Sequence, residues 1–310
     1  MTETYRKISA EDLFDTSEGA LPFGLQQIAA EELGETPARR KESVARLLQL
    51  LSEEEDLNPR KDAQFLLRFL RVRKFNVEAA LRTVRHYYRV RHTSGPVFRD
   101  FLPSKVPPAA RKLMMVMKEK DVHGRRIFLF KPGIWEVEDC SFVDVHRAMI
   151  LCLEHLAKDP TTQTLGMVIL FDYGGFTTEK LLAVNMGMMK KFFEYLQDSM
   201  PMRLKALHGV NQGKAFDVLL AIVRPFMKAK LLQRITLHGR NFGELHKEIP
   251  PKILPEEYGG QAPPVDFEGF WNELEGYDNE YQEENGYGYT RTKNGDFATE
   301  AEIENELTFL

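Results

Sequence analysis

The side chains that could carry chemistry are few, and each fails a test of spacing or context. The run Gly209-Val210-Asn211-Gln212-Gly213-Lys214-Ala215 looks like a phosphate loop. Such a loop needs four residues between its glycines and a Ser/Thr after the lysine to reach magnesium. Here three residues intervene, and Ala215 stands in the hydroxyl's place. A phosphatase loop would put an arginine six positions after its cysteine; after Cys140 that position is His146, and Arg147 comes one too late. Cys140 reads as a surface or turn cysteine. Asp172 ends an apolar run, where a catalytic acid or metal ligand could sit. With no second carboxylate or histidine near it in sequence, it reads as the cap of the turn Tyr173-Gly174-Gly175. His146 and His155 lie nine apart on one helix and so on different faces, which is no metal pair. His208 and His238 fall on weak strand patterns and read as structural. The chain is expected to have no catalytic residue, no metal site and no cofactor.

Composition narrows the classes further. At 43% hydrophobic and 28% charged, the 310 residues can bury a sizeable core. Two cysteines, Cys140 and Cys152, exclude a disulfide framework and suit a reducing compartment. No apolar stretch opens the chain, no apolar run reaches the length of a spanning helix, and residue 2 is Thr2 rather than a myristoylated glycine. A cytoplasmic protein is expected. The net charge of −4 hides segregation. Residues 59–91 carry ten Lys/Arg against Asp62 and Glu78, and residues 203–240 carry eight against Asp217. Residues 276–310 carry nine Asp/Glu against Arg291 and Lys293. Localised basic blocks in a nearly neutral chain point to an anionic partner at a defined place. Nucleic acid is not expected, because the phenylalanines among the first block's charges sit at core spacing rather than as stacking platforms.

The elements that position these groups follow from periodicity. Val44, Leu47, Leu48 and Leu51 recur at helical spacing, as do Phe65, Leu66, Phe69 and Leu70, then Val77, Leu81, Val84 and Tyr88. Asn58-Pro59 breaks the chain between helices, and Asn76 is the expected N-cap of the last. A loose arm is expected over 1–21, a helical module over 22–95 and a linker over 103–108. From 106 to 275 short apolar runs at 126–131, 165–171, 206–210 and 234–238 alternate with helical stretches at 141–158, 177–198 and 213–231. That alternation predicts an α/β domain with a mainly parallel sheet. Residues 276–310 are expected to be an acidic, disordered tail.

The helix over 213–223 is apolar all round. Phe216, Leu219, Leu220 and Val223 form one face, and Val218, Ala221 and Ile222 the other. Such a helix is buried on both sides or touches lipid, and spacing alone admits both. Lys228, Lys230 and Arg234 follow at once, as a membrane-surface contact requires. Met149 and Leu153 stripe one neighbouring helix, and Met186, Met189, Phe193 and Leu196 another; methionines suit a wall that must adapt to a ligand.

Four ordered stretches carry a resemblance: 65–80 (FLLRFLRVRKFNVEAA), 171–176 (FDYGGF), 223–239 (VRPF through LHG) and 253–260 (ILPEEYGG). They resemble the CRAL-TRIO lipid-transfer family over roughly residues 22–275. The resemblance implies an N-terminal helical module, then an α/β domain with an apolar pocket closed by a mobile gate helix, here 213–223. It implies a non-enzymatic carrier that binds a bulky hydrophobic lipid, such as tocopherol, a retinoid or a phospholipid, and docks transiently on anionic membranes. The pocket would be lined by Phe128, Phe130, Met149, Leu153, Ile169, Phe171, Phe193, Phe216, Leu220 and Val223. The gate side chains would be Phe216, Val218, Leu219, Leu220, Ile222 and Val223. In tocopherol-carrying members four basic residues bind phosphoinositide head groups; the matching positions are Arg203, Lys205, Lys230 and Arg234. Those members also carry serines where this chain has Met149 and Leu153, which cannot hydrogen-bond a ligand hydroxyl. The alternative is a phosphoinositide-sensing module that transfers no cargo.

Overall fold

The computed structural model describes residues 21–290 of the chain. Most of the arm expected over 1–21, and 291–310 of the expected tail, lie outside the described residues.

Helices α1 (Phe23–Leu33), α2 (Pro37–Ser52), α3 (Ala63–Val72) and α4 (Val77–Thr93) form the amino-terminal module, with a short strand β1 (Leu57–Asn58) between α2 and α3. Thr36, Asp62 and Asn76 begin the last three of these helices. Each accepts a hydrogen bond from the backbone N–H three residues on, satisfying a donor that a helix start leaves open. The expected apolar stripes turn inward, with Leu47, Leu51, Phe65, Phe69, Val84 and Tyr88 buried. Residues 103–108 are no loose linker. Pro103 and Val106 are buried, as are Phe101 and Ala110 on either side.

Five strands make the main sheet: β2 (Met114–Lys120), β3 (Arg126–Phe130), β4 (Met167–Asp172), β5 (Leu204–Val210) and β6 (Ile235–Leu237), in that order across it. β2 pairs antiparallel with β3, and the remaining neighbours are parallel. Helices fill the crossovers, as parallel strands require. α5 (Phe142–Lys158) and α6 (Pro160–Leu165) precede β4; α7 (Thr178–Ala183) and α8 (Met186–Glu194) precede β5; α9 (Lys214–Val223) and α10 (Ala229–Leu232) precede β6. A π turn over Tyr195–Ser199 ends α8. The expected continuous helix at 177–198 is thus two, broken where Asn185 caps the second by accepting from the Met188 N–H.

One core runs through both modules, and the first basic block helps to knit them. The Arg71 guanidinium grips Glu35 through two bonds of 2.9 and 2.8 Å and reaches Gln163 at 2.6 Å, all three buried. Arg73 donates to the Asp198 carbonyl oxygen at 3.1 Å. Tyr87 and Tyr195, from opposite modules, both donate to the buried Glu154 carboxylate.

The expectation of a disordered tail from 276 is corrected over 276–290. After α11 (Phe267–Glu275) come α12 (Asp278–Glu284) and β7 (Gly288–Tyr289), which pairs antiparallel with β1. Two of the acids that suggested disorder, Glu280 and Glu284, pair with Arg60 of the basic block and with Lys158. Glu284 meets Arg60 at 2.6 Å and Lys158 at 3.5 Å, while Tyr281 is fully buried.

Candidate functional site

The carboxyl ends of β3 and β4 bring Phe130 and Phe171 side by side, ring centres 5.5 Å apart. Above them lies a cavity walled by α5, α8 and α9. The cavity volume is ≈ 100 Å³. A bulky lipid fits only if the walls yield. Three wall residues are methionines, Met149, Met189 and Met227, whose unbranched side chains repack readily.

Of the residues expected to line a pocket, Phe130, Met149, Phe171, Phe193, Phe216, Leu220 and Val223 stand on the wall of this cavity. Phe128, Leu153 and Ile169 do not. They are buried one layer away, in the packing between sheet and helices. The reason is depth. Phe128 shares a strand face with Phe130 but lies two residues back, opposite Ile169, and Leu153 lies one helical turn beyond Met149. Of the stripe on α8, Met189, Phe193 and Leu196 face the cavity and Met186 packs on the core beside it.

α9 closes one side. Phe216, Leu219 and Val223 are buried, and Phe216 packs on Tyr173 at 4.3 Å between ring centres. The other face is open, with Val218 50% and Ile222 42% exposed beside the exposed Lys214 and Asp217. The helix is thus buried on one face only. Leu182 on the neighbouring α7 is 82% exposed, an apolar tip that periodicity had not singled out.

Close backbone packing explains Gly133, which meets the motif residue Gly174, and the motif residue Gly260. A Cβ on Gly133 would stand 2.0 Å from the Gly174 carbonyl oxygen, and one on Gly260 would stand 1.8 Å from that of Leu254. Asp172 has the structural role expected of it. One oxygen accepts from the Gly174 N–H at 2.9 Å and from Asn211 at 2.8 Å, and the other from the Tyr258 hydroxyl at 2.9 Å. His208 and His238 pair with each other at 3.1 Å across β5 and the end of β6. Cys140 sits in a bend but is buried rather than on the surface, and burial pushes its thiol up.

The four expected head-group residues lie on β5, on α10 and in the turn before β6. Arg203 and Lys205 flank the start of β5, Lys230 is exposed on α10, and Arg234 is half-buried just ahead of β6. Burial, and then the charge of Arg203, lower the pKa of Arg234. A residue missed in the sequence reading, Glu32 on α1, bridges Arg203 at 3.0 Å and Lys205 at 3.4 Å. Against a burial penalty, the Arg203 hydrogen bond and the two cations hold its carboxyl below the usual range.

His146 was also missed. With Phe142, Val145 and Met149 it forms the i, i+3, i+4, i+7 stripe that α5 turns to the cavity. It is 3% exposed, and neither ring nitrogen meets a protein hydrogen-bond partner. Burial pushes its pKa down to about 4. The Phe142 carbonyl one turn back opposes that weakly, without reaching hydrogen-bond geometry. An unsatisfied buried imidazole costs about 1–3 kcal/mol.

Among the described residues no group of three or more His, Cys, Asp or Glu could hold a metal, and no helix is long and apolar enough to cross a membrane.

The description "CRAL/TRIO domain" matches residues 110–260. Rat clavesin-1 (Rattus norvegicus) is 33% identical over 265 residues, 84% of this chain and 74% of that protein. Human clavesin-2 (Homo sapiens) is 33% identical over 275 residues, 87% and 83% of the two chains. Human alpha-tocopherol transfer protein-like (Homo sapiens) is 36% identical over 246 residues, 79% and 72%. The crystal structure of Sfh5 superposes with a TM-score of 0.47 at 13% identity, covering 79% of this chain and 90% of that one.

Proposed function

The chain belongs to the CRAL/TRIO family, whose members bind and transfer lipids, and from that premise we propose that it carries one bulky apolar lipid between membranes without altering it. The observation that carries this reading is the cavity itself. Its wall is almost wholly aromatic and aliphatic, and the helix that closes it presents bare apolar side chains outward. The cargo is an isoprenoid, such as tocopherol or a retinoid, or a phospholipid. Each cargo methylene buried contributes about 0.8 kcal/mol.

In this reading the protein is cytoplasmic and meets membranes transiently. Val218, Ile222 and Leu182 enter the interface, and α9 swings away from Phe130 and Phe171 to open the cavity. Arg203, Lys205, Lys230 and Arg234 hold a phosphoinositide head group by charge-assisted hydrogen bonds. Binding favours the open gate and so couples discharge of cargo to arrival at an anionic membrane.

Native mass spectrometry of the purified protein, with extraction of any bound lipid, tests the cargo. A one-to-one adduct supports carriage. A clean apo mass after incubation with isoprenoid and phosphoinositide lipids overturns it and leaves a phosphoinositide sensor without cargo. Neutralising the four basic residues should slow delivery to anionic vesicles while cargo retention stays intact.

A further inference from the structure

The geometry points to His146 as a hydrogen-bonding anchor inside the cavity, one that selects a lipid carrying a neutral hydroxyl at the end that reaches α5. This deepens the cargo reading above and rests on it. Three features of the ring converge. The ring is 3% exposed, it stands on the cavity wall, and neither nitrogen has a protein partner. Native folds rarely leave such a group unsatisfied without a use for it.

The ring is also held in place. Phe142 packs at 4.6 Å on one side, and Phe192 meets it edge-on at 5.5 Å and 90°. The imidazole is therefore preorganised, and because both nitrogens are covered, a ligand reaches one as the walls yield. Two other polar groups stand on the wall, Trp135 and Tyr173. The Trp135 N–H is committed to the Cys140 carbonyl oxygen at 3.0 Å. Tyr173 is half-buried against the gate residue Phe216.

The protonation state sets the class of ligand. A ring whose pKa is pushed to about 4 is neutral at cytoplasmic pH. A neutral imidazole has one N–H donor and one bare nitrogen acceptor. A hydroxyl matches it in either orientation, donating to the bare nitrogen or accepting from the N–H. A carboxylate matches the protonated ring instead, which burial disfavours. The class is a neutral lipid alcohol or phenol, and fatty acids are selected against.

A matched pair of fluorescent probes tests this: retinol, and the hydrocarbon in which its CH2OH is replaced by CH3. Affinities are measured for the full chain and for His146→Phe, which keeps a flat ring between Phe142 and Phe192. The expected result is that the variant loses about 10-fold of its preference for the alcohol over the hydrocarbon, with hydrocarbon affinity unchanged. An unchanged preference, with both probes still bound, overturns the anchor and leaves the carrier reading standing. If the wild-type chain takes up neither probe, the anchor falls, while the carrier reading stands or falls by the lipid extraction above. Imidazole ¹⁵N NMR on the wild-type chain gives an answer even where the variant fails to fold. One His146 nitrogen resonance should move with retinol and stay still with the hydrocarbon; movement with both or with neither overturns the proposal.

Discussion

Replacing Leu182, Val218 and Ile222 together by serine removes the apolar surface with which the protein would enter a membrane. The magnitude follows from how bare these side chains already are, at 82%, 50% and 42% exposed. Fully burying such a side chain is worth about 1.5–3 kcal/mol. Scaled by exposure, the three together contribute about 3 kcal/mol to membrane partitioning, or about 100-fold in the partition coefficient. None of the three belongs to the buried core, so the melting temperature should stay close to that of the parent. Co-sedimentation with vesicles, with and without anionic lipid, measures the effect. The loss should appear in both, because it is apolar in origin. Lys230→Ser should instead weaken binding only where anionic lipid is present, by about 1 kcal/mol, and the difference should shrink with salt. A folded triple variant that still sediments like the parent would refute the docking geometry, whatever the fate of the cargo reading.

Three further outcomes are expected. Glu32→Gln frees Arg203 and Lys205 from their bridging carboxylate and should tighten binding to phosphoinositide vesicles up to about 5-fold; unchanged binding would mean that Glu32 does not compete for those cations. Arg71→Met leaves the buried Glu35 carboxylate with Arg40 alone, at 3.5 Å, and should cost about 3 kcal/mol in urea denaturation, whereas replacing both Arg71 and Glu35 by apolar residues should cost less. His146 is neutral and buried in the fold with a pKa of about 4, against an ordinary 6.5. Its contribution is complete above pH 6.5 and is lost as pH falls toward 4, where the unfolded chain alone gains the proton. Up to about 3 kcal/mol is at stake, so urea titrations over that window should show a shallower fall for His146→Phe than for the parent.

Much of this fold is legible in the sequence wherever burial is two-sided. The runs at 126–130 and 167–172 are continuously apolar because helices cover both faces of the sheet, and such runs show as strands without alternation. β2 escaped because Met114-Met115-Val116-Met117 followed by Lys-Glu-Lys has neither a strand's alternation nor its usual residue types. Residues 276–290 escaped for an electrostatic reason. An acidic, polar stretch reads as disordered when its cationic partners, Arg60 and Lys158, lie more than a hundred residues away in sequence. For the cavity, periodicity tells which face a side chain takes but not how deep it sits. Hence Phe130 and Phe171 are found on the wall while Phe128 and Ile169 lie under it. His146 was read as half of a metal pair and rejected as one. Its neighbours Phe142, Val145 and Met149 at helical spacing were the signal that it shares their environment.

The pairing of β1 with β7 governs how this chain can be born. Leu57 lies opposite Tyr289 and Asn58 opposite Gly288, and the Thr290 N–H closes the pair onto the Asp56 carbonyl oxygen at 2.9 Å. Ring contacts continue the seam, with His92 against Tyr289 at 6.1 Å. During synthesis α2, α3 and α4 emerge early, yet the strand that finishes their edge leaves the ribosome nearly two hundred residues after α4. Until then the helices stand unfinished and part of their apolar surface is open to other nascent chains. Loop closure over such a separation is slow. The amino-terminal helices are therefore expected to need chaperone cover during translation, and a chain cut after residue 275 would lose the Tyr281 plug and the β7 seam together.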